Sequence, residues 1–202
     1  LFLSCVPPIR AANPPTEPSD LDQAFRQLQT YTWSQSREPL SAIEKAILAS
    51  ADDPATRRKL ESRLAAVLRT GAPFPARQYV CRKLSQIGTA DSIPTLSQLL
   101  VDPALSHSAR LALERIPDPR AVEALRRALP QAEGNAKIGI INSLGVLKDA
   151  AAVGLLTNLF ANADPSIAAA AVSALGHIAT VEAARALGEF RTTSPAPAVV
   201  TQ

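Results

Sequence analysis

The sequence predicts an all-α, right-handed solenoid of antiparallel helical hairpins, and three observations predict it. Apolar residues recur at helical spacing, with few alternating stretches. The same apolar pattern returns with a period of about 31 residues, the signature of a repeat architecture. The composition is 47% hydrophobic but 4% aromatic, with Ala and Leu dominant. That suits slim helices packed closely better than a sandwich built on large rings.

The period is read from four segments: Leu84-Ser85-Gln86-Ile87, Leu113-Glu114-Arg115-Ile116, Leu144-Gly145-Val146-Leu147 and Leu175-Gly176-His177-Ile178. Their leading leucines lie 29, 31 and 31 residues apart. With the last residue of each segment as zero, other columns fall into register. Ala76, Leu105, Ala136 and Ile167 stand at minus eleven, and Val80, Ala109, Ile140 and Ala171 at minus seven. Together with the leucines they form one stripe on a first helix. Ile93, Val122, Val153 and Ala184 stand at plus six, and Leu96, Leu125, Leu156 and Leu187 at plus nine. Leu100, Leu129 and Phe160 follow at plus thirteen, where Arg191 breaks the pattern. This second stripe predicts a second helix whose apolar positions point inward. The short gap between stripes holds turn residues such as Gly88-Thr89-Ala90-Asp91, Pro117-Asp118-Pro119 and Lys148-Asp149, so the two helices form a hairpin. Each hairpin has too little core to stand alone and must stack on its neighbours.

The remaining elements follow in order. Asn13 to Pro18 is a proline-rich linker, and Ser19 or Asp20 can cap a first helix with Leu21, Phe25, Leu28 and Thr32 on one face. Helices are expected at about 40–50 and 54–70. Leu40, Ile43, Ile47 and Leu48 make the first stripe; Leu60, Leu64, Val67 and Leu68 make the next. Residues 20–70 read as an irregular start and 76–191 as regular repeats. Asp53-Pro54, Asp102-Pro103, Asp118-Pro119 and Asp164-Pro165 read as helix starts. The Asp accepts bonds from unpaired N–H groups, and Pro at the first helical position loses none.

Candidate chemistry is sparse. Cys5 and Cys81 are the only cysteines, and no Cys-x-x-Cys occurs, which excludes an attached c-type haem and a thiolate zinc site within this chain. Cys81 shares its column with Ile141 and Val172, with Arg110 the exception, and reads as a core residue. His107 and His177 lie in different repeats, with no Ser, Asp or Cys spaced to recruit either into a triad. Trp33 and Tyr79 are expected to close the N-terminal end. Gly88 and Gly134 read as turn or helix-end residues, and Gly145, Gly154 and Gly176 as points of close helix approach. No glycine-rich phosphate loop is present. The expectation is no catalytic, metal or cofactor site. The net charge is +3, with basic and acidic residues interleaved. Nucleic-acid binding needs a concentrated basic stripe, and only pairs are seen.

Leu1-Phe2-Leu3-Ser4-Cys5-Val6 is apolar, and Ile9-Arg10-Ala11-Ala12 resembles a small-residue cleavage zone. Residues 1–11 are therefore expected to be the remnant of a signal peptide, 12–19 a linker and 192–202 a linker or tail. The protein is then periplasmic or extracellular. Two alternatives stand for the start: a degenerate lipoprotein box at Leu3-Ser4-Cys5, with a lipid anchor at Cys5, or a disordered apolar terminus. No segment reaches the roughly 20 apolar residues of a bilayer span.

The repeat period, the Leu-x-x-Ile-Gly ending at Gly88 and the Leu-Gly-x-Ile form around Gly176 resemble short HEAT repeats, of the variety labelled phycobilisome-lyase-like. The resemblance covers 76–191 well and 40–70 loosely. Trp33-Ser34-Gln35-Ser36-Arg37-Glu38-Pro39-Leu40, Ala112-Leu113-Glu114-Arg115-Ile116-Pro117-Asp118-Pro119 and Ile141-Asn142-Ser143-Leu144-Gly145 resemble exported HEAT proteins of planctomycete- and verrucomicrobium-like bacteria. The resemblance implies no shared catalytic residues. It implies a scaffold binding a protein or peptide along its second helices, at columns plus seven and plus eleven. Gln98, Glu123, Arg127, Asn158, Arg185 and Glu189 are the candidate contact residues. The alternatives are an accessory repeat region of a larger exported enzyme or haem protein, and a stand-alone lyase. A convergent polar set is missing for the last.

Overall fold

The computed structural model describes residues 19–162 and 164–193. Among them every regular element is helical. The expectations for residues 1–11, for Cys5, for most of the linker and for the C-terminal tail lie outside the described residues. The helices are α1 (Asp20–Leu28), α2 (Ser41–Ala49), α3 (Pro54–Leu68), α4 (Phe74–Ile87), α5 (Ile93–Ser97), α6 (Ser106–Arg115), α7 (Pro119–Ala128), α8 (Gly134–Val146), α9 (Val153–Thr157), α10 (Pro165–Ile178) and α11 (Val181–Thr193). One-turn 3-10 segments, Glu38–Leu40, Ala90–Ser92 and Ala150–Ala152, lead directly into α2, α5 and α9.

Helix starts follow from the punctuation in the sequence. Ser19 caps α1, and Asp53, Asp118 and Asp164 cap α3, α7 and α10 with a Pro in the first turn. Asp102-Pro103 differs. Asp102 accepts from the backbone N–H groups of Ala104 and Leu105, which holds a turn, and α6 begins only at Ser106. Asp118 is also gripped by Arg120, whose side chain and backbone N–H both donate to it; this lowers its pKa to about 2.

First helices stack on first helices: α4 packs on α6, α6 on α8 and α8 on α10. Second helices lie behind them, α5 against α7 and α9 against α11. The stripe that predicted this arrangement is buried. Leu84, Leu113, Leu144 and Leu175 are at most 1% exposed, and so are Val80, Ala109, Ile140 and Ala171. Each such leucine withdrawn from water stabilises the stack by about 1.5–3 kcal/mol. The second stripe holds at Leu96, Leu125 and Leu156, which are fully buried. It fails at the C-terminal end: Ala184 is exposed, Leu187 is half-buried and Arg191 is exposed. Helix α11 packs on α10 with Ala183 fully buried and Leu187 against the core, and among the described residues no later helix covers its other side.

The N-terminal region, expected to be irregular, carries the same two layers. Lys83 Nζ on α4 meets Glu44 Oε1 on α2 at 2.8 Å, and the Tyr79 hydroxyl donates to the Leu40 carbonyl at 3.3 Å. These pairs run in the same direction, so the 3-10 segment and the start of α2 run parallel to α4, in looser contact than α4 makes with α6. Arg69 donates to Thr95 Oγ1 at 3.1 Å and Ser92 to Glu61 at 2.5 Å, which sets α3 beside α5 as a second helix. Helix α1 packs on α2 and reaches α3 through side chains. Arg63 bonds Asp22 at 2.8 Å and lies 4.0 Å over the Phe25 ring.

Several local expectations need correction. Leu48 is 76% exposed, because it sits about 100° around α2 from Ile47 and no helix reaches that side. Thr32 lies past the end of α1 and cannot share its face. Tyr79 is buried, but Trp33 is 70% exposed, set edge-to-face against Phe74, so it does not close the end. Gly145 does mark a close approach, while a Cβ at Gly154 or Gly176 would meet nothing within 4 Å.

Candidate docking surface

The six candidate contact residues fall on the second helices as the register required, but not in equal settings. Glu123 and Arg127 lie one turn apart on α7 and form an ion pair. Arg127 remains 77% exposed. Arg185 and Glu189 lie one turn apart on α11 and are exposed. Gln98 and Asn158 are exposed too, but each is the C-cap of a five-residue helix, α5 and α9. The second layer is therefore built alternately from a full helix and a 3-10 turn with a short helix. Its polar columns are carried by long arms on α7 and α11 and by neutral amides on α5 and α9.

An exposed i,i+4 pair such as Glu123–Arg127 is worth a few tenths of a kcal/mol. A partner carboxylate can displace it at small cost. Arg127 can then hold that carboxylate through two parallel N–H bonds. The column is mixed in sign, as the sequence indicated, and suits a polypeptide that itself carries both signs.

Other polar groups were not foreseen as a set, and they lie between repeats. Arg110 of α6 donates to Glu114 Oε1 at 2.8 Å and to Ser143 Oγ of α8 at 2.9 Å, while Ser143 donates to Glu114 at 2.5 Å. Arg110 Nη2 also meets His107 Nδ1 at 3.0 Å. Glu61, 2% exposed, accepts from the Thr89 N–H at 2.6 Å, and from the hydroxyls of Thr89 and Ser92. Arg126 of α7 pairs with the buried Asp149, in the turn of the following hairpin, at 2.7 Å. Arg110 was visible as the exception in its column. Asp149 and Glu61 carried no signal, since a turn Asp and a helical Glu are ordinarily solvated.

Cys81 is fully buried, and burial pushes its thiol up to about 12, so it is neutral at physiological pH. His177 Nδ1 lies 2.8 Å from the Ser173 carbonyl, within its own helix. Among the described residues no three His, Cys, Asp or Glu side chains converge as a metal site would need. No helix among them is long and apolar enough to cross a membrane.

No curated protein matches the chain. Residues 61–135, from within α3 to the first turn of α8, match the family model for HEAT repeats. Taken with the all-helical stack of hairpins, that match supports a HEAT-repeat α-solenoid.

Proposed function

We propose that the chain is a non-catalytic interaction scaffold that holds a protein or peptide along the exposed columns of its second helices. HEAT repeats are commonly protein-interaction scaffolds and are generally non-catalytic, and residues 61–135 match them. The single observation that carries the docking surface is the exposed Glu123–Arg127 pair on α7, in the middle of that layer. It offers a guanidinium already fixed in place and cheaply released. A mixed-sign column favours a polypeptide over nucleic acid, whose phosphates reward a run of like charge.

The test is capture of partners from the host on immobilised protein, wild type against Arg127→Glu. The reversal turns an attraction into a repulsion and should lower recovery of a specific partner about tenfold or more. Full recovery with Arg127→Glu would take the docking surface off the second helices.

A further inference from the structure

The first helices show a charge asymmetry that the second-helix reading does not use. Helices α4, α6, α8 and α10 contain a single carboxylate, Glu114, and it is closed off by Arg110 and Ser143. Their lysines and arginines divide in two. Arg77, Lys83 and Arg110 are paired with Asp102, Glu44 and Glu114. Arg82, Arg115 and the half-buried Lys137 form no ion pair among the described residues, and of these the two arginines are exposed.

Arg82 and Arg115 line the same groove, a cleft of about 360 Å³ between α4 and α6. Gln78, Gln86, His107 and Leu111 also line it, and the buried Cys81 lies at its base. No acidic side chain does. The register explains the layout. Arg82 and Leu111 are equivalent positions of successive repeats, and so are Gln86 and Arg115. Each helix thus contributes one guanidinium, at a different height along the groove.

We propose that this groove binds an acidic segment of a partner polypeptide, with one carboxylate engaged by each arginine. A guanidinium fork matches a carboxylate in two parallel bonds. The rest of the lining selects a peptide over a phosphate-bearing ligand. Gln78 and Gln86 each present both a donor and an acceptor, which pairs with a peptide group, while phosphate oxygens only accept. Leu111, 40% exposed, offers an apolar contact between the charges. Two arginines are too few to follow a nucleic-acid backbone. The site lies on the opposite layer from the second-helix columns and stands or falls independently of them.

The test is fluorescence anisotropy of a fluorescein-labelled hexaglutamate peptide titrated with the intact chain. A labelled single-stranded oligothymidylate and competition by inorganic phosphate are run in parallel. Both arginines are exposed and unpaired, so Arg82→Gln and Arg115→Gln should keep the helical circular dichroism of the wild type. Each should weaken hexaglutamate binding about tenfold, the loss of one charge-assisted pair. Lys59→Gln, an exposed position on α3 outside both surfaces, should leave it unchanged. Failure of hexaglutamate to bind, or a loss with the groove variants no greater than with Lys59→Gln, overturns the site. Tighter binding of the oligonucleotide, or displacement of the peptide by equimolar phosphate, overturns the assignment of its ligand.

Discussion

Helix α8 is flanked by two unlike interfaces. Towards α10 the contact is backbone against backbone: a Cβ at Gly145 would stand 2.8 Å from the Ala174 Cα. Towards α6 the space above Gly139 is filled by the Arg110 side chain, whose Nε would lie 2.9 Å from a Cβ there. The first interface uses glycine to let two helices close. The second uses it to admit a guanidinium between them, which then bonds Glu114 and Ser143. Equal spacing in sequence therefore does not mean equal packing. The difference also bears on order in the stack. Apolar faces of similar hairpins are nearly interchangeable, whereas against an apolar column the Arg110–Glu114 pair of α6 would keep its own ion pair but lose both bonds to Ser143.

The largest effect tests what the two interfaces share. Leu144 is fully buried on the helix common to both. Leu144→Ala should cost about 2–5 kcal/mol in chemical denaturation, because the backbone around it cannot collapse into the space. A loss below about 0.5 kcal/mol would mean that the columns are misassigned. Next comes the polar side. Arg110→Ala leaves Glu114 half-buried without its cation and should cost about 1–3 kcal/mol. The double variant Arg110→Ile, Glu114→Leu should recover most of that, since it removes both partners together; no recovery would show that the guanidinium stabilises by packing alone. The smallest effect separates two glycines. Gly145→Ala should destabilise by about 1–3 kcal/mol through overpacking on Ala174. Gly176→Ala, with open space above it, should stabilise by about 0.5–1 kcal/mol from helix propensity. Thermal melts giving the same sign for both would mean that Gly145 is not a point of close approach.

The apolar register made the four-repeat core legible residue by residue, because a column of leucines at constant spacing has one economical explanation. It could not reveal the place of α2. The spacing from Leu40 to Tyr79 departs from the repeat period, and only Glu44–Lys83 and the Tyr79 hydroxyl show that the helices run side by side. Leu48 and Ala184 were misread for a related reason: a stripe states which residues prefer burial but not whether a neighbour is there to bury them. The second-helix columns were legible as exposed positions, since polar residues between apolar ones must face out. Their unequal carriers were not, because the 3-10 entries to α5 and α9 depend on how each turn is bonded. The groove between α4 and α6 was invisible. It joins positions about a repeat apart, and each of its residues alone looks like ordinary solvated surface.

Glu61 has a consequence for where the molecule can be cut. It sits on α3, yet it satisfies the Thr89 N–H and the hydroxyls of Thr89 and Ser92, groups of the next hairpin's turn. That turn is therefore completed from outside its own repeat. A fragment beginning at Phe74 would keep every residue of that hairpin and still open its turn to water. A self-sufficient piece that contains this turn must therefore reach back into α3.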